Sequence, residues 1–153
     1  MILLPHLLIG AVIGAKVQSL PAVFILSFIS HFIADKLPHW EYLDKELTKF
    51  QSKKEWLIFL TKATLDFGLG IIIILYFFWQ SPLWPAVAVG ALASVLPDFL
   101  IFLNCLLPKI KTLKSYRDFH HRNHFKKGRY KISLSIFSEA LIISLAIYLI
   151  AIG

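Results

Sequence analysis

Apolar residues run almost unbroken through residues 56–79, 84–107 and 130–152, and each stretch is long enough to cross a bilayer as a helix, which takes about 20 apolar residues. The first forty residues are apolar as well, but Pro5, Lys16, Gln18 and Pro21 interrupt them. That pattern predicts a short helix near 2–15 tightly joined to a second near 21–37. Pro38 places the end of the second helix at Leu37, because the residue before a proline is pushed out of the helical region. The chain therefore reads as all-α, a single transmembrane helical domain over residues 1–153. About five helices are expected, the first one short or re-entrant. A re-entrant hairpin over residues 1–37 is compatible with a bilayer where protein or water surrounds its backbone.

Composition agrees with this pattern. Hydrophobic residues make up 58% of the 153, and the mean hydropathy is +0.71, well above a typical soluble domain. The lone Cys105 lies in an apolar stretch, which excludes an internal disulfide and reads as a small buried hydrophobe. The opening MILLPHLLIG has no Lys or Arg before its apolar run and no small-residue cleavage pattern after it, so a removable signal peptide is not expected.

Charge then supplies an orientation. The connection at 108–131 holds Lys109, Lys111, Lys114, Arg117, Arg122, Lys126, Lys127, Arg129 and Lys131 against one acid, Asp118, and residues 36–55 hold five lysines. If all five helices cross, both connections lie on one side, which the positive-inside rule makes cytoplasmic, with the N-terminus inside. This implies a multi-pass protein of the inner (cytoplasmic) membrane. Trp56, Trp79 and Trp84 stand at helix ends, as interfacial aromatics do. The net charge of +7 is concentrated where topology already requires it, so nucleic acid is not expected as a partner. The lipid bilayer is, with anionic headgroups drawn to the basic connection.

In this oily chain, ionisable residues are the informative ones, because charge at membrane depth is costly and marks function. Counted along the helices at 1.5 Å per residue, Asp66, Asp98 and Glu139 fall at a similar depth, roughly 14 to 15 Å below the cytoplasmic surface. His6, His31 and Asp35 lie toward the same side. The run SHFIADKLPH spaces His31, Asp35 and His39 four residues apart, so His31 and Asp35 share a helical face and His39 can fold back beside them. Neutral imidazole with carboxylate suits a divalent transition ion, zinc or manganese foremost, with ferrous iron also compatible. The alternative is a capping His31, Asp35 paired with Lys36 or Lys62, and a solvated His39. In YRDFHHRNHF, His120 with His124 or His121 with His124 supplies further ligands, and Asp118 can orient an imidazole. Pro97 interrupts a helix directly before Asp98 and lets it bend toward a cavity. Asp66 and Asp98 are the candidate general bases.

The order of HLLIGAVIG with its leading histidine, SHFIADKLPHW, a later LPD in an apolar helix and a histidine pair further on resembles the YdjM-type family of small inner-membrane predicted metal-dependent hydrolases, whose name also refers to LexA binding. The resemblance covers most of the chain. It implies a polar centre of His6, His31, Asp35, His39 and Asp98 completed by later histidines. The chain departs from the family there, reading FHHRNHF where members often have histidine, arginine, glycine and then threonine-histidine-serine.

With a metal set of His6, His31, Asp35, His39, Asp98, His120 and His124, the leading expectation is metal-assisted hydrolysis at the cytoplasmic headgroup level, on a phosphoester of a lipid or lipid-linked substrate. The alternative is a non-catalytic membrane protein, such as a small cation or proton carrier whose acids line a path. No glycine-rich phosphate loop, nucleophile elbow or HExxH helix is present.

Overall fold

The computed structural model describes residues 2–17, 19–39, 52–124 and 132–152, and among these it is all helix and turn. Six helices follow one another: α1 (Leu3–Lys16), α2 (Leu20–Ala34), α3 (Lys53–Phe78), α4 (Trp84–Leu106), α5 (Lys111–Asn123) and α6 (Ile132–Ala151). The three long segments match α3, α4 and α6, and the two short ones match α1 and α2. The helix beyond the expected five is α5, formed inside the basic connection, whose residues 125–131 lie outside the described residues, as does the mixed-charge segment 40–51.

Local chemistry explains the helix ends. Ser52 and Glu55 form a reciprocal capping box at the start of α3, with 3.3 and 3.1 Å hydrogen bonds. Pro21 and Pro85 sit in the first turns of α2 and α4, where a missing N–H costs nothing. Helix α2 stops at Ala34 rather than Leu37: the Lys36 and Leu37 N–H groups donate to the carbonyls of Ile33 and Ala34 at 3.2 and 3.0 Å, a tightened turn ahead of Pro38. Helix α1 lacks a side-chain cap of its own at Ile2, and Asp66 of α3 substitutes, its Oδ2 accepting from the Leu3 and Leu4 N–H groups at 2.5 and 3.1 Å.

Helix α1 is the axis of the bundle, packed against α2, α3, α4 and α6. At 14 residues it is about 21 Å long, too short to span alone, and its surroundings are protein. Leu4, Leu7, Leu8 and Ala11 meet Ile74 and Phe78 of α3, Val87, Ala91 and Val95 of α4, and Ala146 and Ile150 of α6. Contact between α1 and α4 is backbone to backbone. A Cβ at Gly10 would strike the Gly90 carbonyl, and one at Gly90 would strike that of Gly10. Small residues four apart, here Gly10 and Gly14, are the device by which membrane helices approach closely.

The outer surface is apolar. Leu65 (69% exposed), Ile72 (65%), Ile132 (69%) and Phe137 (64%) face outward, and α3, α4 and α6 are each long and apolar enough to cross a membrane. Water would not tolerate such a continuous surface, which fits membrane association.

Candidate metal centre

Four helices bring the polar residues together. His6 lies in the first turns of α1, His31 and Asp35 at the end of α2, and Asp98 one residue past Pro97 in the second half of α4. Helix α5 packs against α4 and presents His120 in its last turn, with His124 as its C-cap. The tight turn after α2 carries His39, whose Nδ1–H donates to the Leu37 carbonyl at 2.8 Å. The Ser138 hydroxyl of α6 donates to the Pro38 carbonyl and holds this turn from the other side.

Asp35, 2% exposed, is the hub. Its Oδ2 lies 3.1 Å from His31 Nε2, 3.2 Å from His120 Nε2 and 3.5 Å from His124 Nε2, and its Oδ1 lies 3.2 Å from His6 Nε2. His31 Nε2 and His120 Nε2 are 3.0 Å apart, and Asp98 Oδ1 is 3.7 and 3.8 Å from them. His6 stacks on His31 with ring centroids 4.1 Å apart. Among the described residues two donor sets result, each with its atoms within 4.8 Å of one another: His31, Asp35, Asp98 and His120, and Asp35, His39 and His124. Asp98 (27% exposed) and His124 (16%) form the open edge, whereas His31 and His120 are buried.

The donor chemistry fits a divalent ion. The carbonyl of Ser94, 2.8 Å from His31 Nδ1, can only accept, so Nδ1 carries the hydrogen and Nε2 of neutral His31 presents a lone pair. That lone pair points into a space shared with a carboxylate oxygen and a second imidazole nitrogen. Lone pairs at 3.0 to 3.2 Å repel unless a proton or a cation lies among them. Ligands bonded to one ion at about 2.0–2.2 Å, at angles of roughly 90° to 109°, lie about 2.8 to 3.6 Å apart, close to these separations. The Ser94 carbonyl is the outer partner that fixes ring orientation, as metal-bound histidines usually have. It sits in the turn that Pro97 loosens, and the Ser94 hydroxyl turns away to the Ala91 carbonyl at 2.7 Å.

Of the expected ligands, His31, Asp35, His39, Asp98, His120 and His124 fall in the two donor sets, while His6 reaches only the far oxygen of Asp35. His120 and His124 each fall in a donor set, though not the same one, and His121 is exposed and in neither. Of the acids placed at one depth, Asp98 joins a donor set. Asp66 caps α1, and Glu139 is buried on α6 outside both sets. Asp118 does not orient an imidazole as expected: Arg117 Nη2 and Nε donate to its Oδ1 at 2.7 and 3.1 Å, and these bonds hold its carboxyl below the usual range. Helix geometry separates the two roles, since Asp118 and His120 two residues apart project from different faces.

Sequence reasoning missed Tyr116, one turn before His120. Its hydroxyl is buried without a hydrogen-bond partner among the described residues, and burial, with the nearby Asp98 and Asp35 charges, pushes its pKa upward. Its i, i+4 spacing to His120 was the available signal. No family model matches the chain, and comparison with curated proteins and with solved structures returns no match.

Proposed function

We propose that this protein is a membrane-bound, metal-dependent hydrolase acting at the cytoplasmic headgroup level on a phosphoester of a lipid or lipid-linked substrate. The observation that carries the reading is the meeting of His31 Nε2, His120 Nε2 and Asp35 Oδ2 at 3.0 to 3.2 Å, with the His31 tautomer fixed by Ser94. The order of His6, SHFIADKLPH, LPD and the later histidine pair supports membership in the YdjM-type family and the same activity class.

A divalent ion, zinc or manganese, would acidify water and polarise a phosphoryl oxygen there. His31, His120 and Asp35 would hold it, and His6 steadies the Asp35 carboxylate. Asp98, at the open edge, is placed to bind or to take a proton from the attacking water. The Tyr116 hydroxyl, held protonated by burial and neighbouring carboxylates, is a hydrogen-bond donor in search of an acceptor. Lys111, Lys114 and Arg122 on α5 draw anionic headgroups toward the site from the cytoplasmic side. Asp66 takes no step in this scheme, because its carboxylate holds the start of α1.

A carrier would need polar groups continuing through the bundle. Beyond the site the core is instead Ala11, Ile74, Phe78, Val87 and Ile150, which favours a one-sided centre. Metal analysis of detergent-purified protein beside His31→Ala and Asp35→Ala tests the reading, followed by phosphodiester-lipid hydrolysis with added zinc or manganese. Metal in the parent alone, with metal-dependent hydrolysis, is the expected result. Equal metal content in all three proteins overturns it.

A further inference from the structure

We infer that the centre holds two divalent ions per chain, with Asp35 as the shared carboxylate, and that its substrate is therefore an anionic phosphoryl group. This deepens the hydrolase reading and rests on it. The two donor sets, His31 with Asp98 and His120, and His39 with His124, meet only at Asp35. Each set gathers its donors within 4.8 Å and the two share only Asp35, so they offer two adjacent positions for an ion.

Each set has its own orientation device. Ser94 takes the Nδ1–H of His31 at 2.8 Å, and Leu37 takes the Nδ1–H of His39 at 2.8 Å, so in each ring Nε2 is the nitrogen left to bind an ion. Asp35 Oδ2 stands between the sets, 3.1 Å from His31 Nε2 on one side and 3.5 Å from His124 Nε2 on the other, while Oδ1 is turned to His6. Two-metal hydrolytic sites place their ions about 3.5–4 Å apart, a spacing one carboxylate bridges.

Charge gives the substrate class. Two dications against the carboxylates of Asp35 and Asp98, with neutral imidazoles, leave an excess of positive charge that a phosphoryl anion neutralises. The lysines and arginines of α5 add to this preference.

The experiment strips the purified full-length protein with chelator, reloads it with manganese(II) alone, and measures bound metal per chain together with the electron paramagnetic resonance spectrum. Two ions per chain with an exchange-coupled spectrum are expected, and a His39→Ala/His124→Ala variant should hold one ion with the spectrum of an isolated ion. One ion per parent chain, or two without coupling, overturns the inference while leaving a mononuclear hydrolase intact. No bound manganese overturns the inference, and if reloading with zinc also leaves the chain empty, the hydrolase reading falls with it. Two coupled ions without phosphoester hydrolysis uphold the two-ion centre and overturn both the hydrolase reading and the phosphoryl substrate. The parent measurement decides the matter even if the variant does not fold.

Discussion

The two ends of α1 are built on opposite principles. Toward Lys16, glycines let α1 and α4 touch backbone to backbone, and the core neighbours are apolar, so that end is held by close packing. Toward Leu3, the same helix carries His6 into a group of buried imidazoles and carboxylates, and its free N–H groups need Asp66 from another helix. Close packing tolerates no extra atoms, whereas the polar end tolerates no missing partner. Changes at the first end should therefore be felt as stability and changes at the second as ligand binding.

The largest separation should come from His120→Ala. It removes a donor at the heart of the first set, and metal affinity should fall by more than the roughly 10–100-fold typical of outer partners, with the helical circular dichroism spectrum retained. Unchanged affinity would place His120 outside the centre. Gly10→Ala should do the reverse, lowering stability by about 1–3 kcal/mol or more through a clash with the Gly90 carbonyl, while the metal bound per folded chain stays constant. Thermal unfolding in detergent reads this, with Gly68→Ala as control, because a Cβ there meets nothing within 4 Å. Removing the His6 contact with Asp35 Oδ1 by His6→Ala should weaken metal binding by about 10–100-fold without abolishing it, as isothermal titration would show. Smallest is Asp66→Asn, which should cost about 0.5–2 kcal/mol as a lost helix cap and leave metal content and turnover per folded molecule unaltered. Loss of turnover with full metal content would make Asp66 a catalytic base after all.

The same contrast explains what was legible in the sequence. The spans of α3, α4 and α6 follow from length and apolar content, and His31 and Asp35 follow from four-residue spacing on one helix. Their partners could not be read in that way. The Ser94 carbonyl and the N–H groups of Leu3 and Leu4 are backbone atoms, which every residue carries, so no residue type announces the bonds made to them. Asp66 thus looked like one more buried acid at catalytic depth, when its partners lie 63 and 62 residues away in the chain. Helix α5 escaped because it is polar throughout most of its length, and only once it is helical does His120 turn inward and His121 outward. Asp118, adjacent in sequence to Arg117, was taken by the nearest cation.

X-ray absorption at the metal edge of the purified protein most directly tests whether side chains from separate helices gather on an ion. Imidazole and carboxylate ligands in a shell near 2.0–2.2 Å are predicted, with the imidazole scattering diminished, or the metal lost altogether, in His31→Ala. A shell of water oxygens alone, or one unaltered in His31→Ala, would contradict the account.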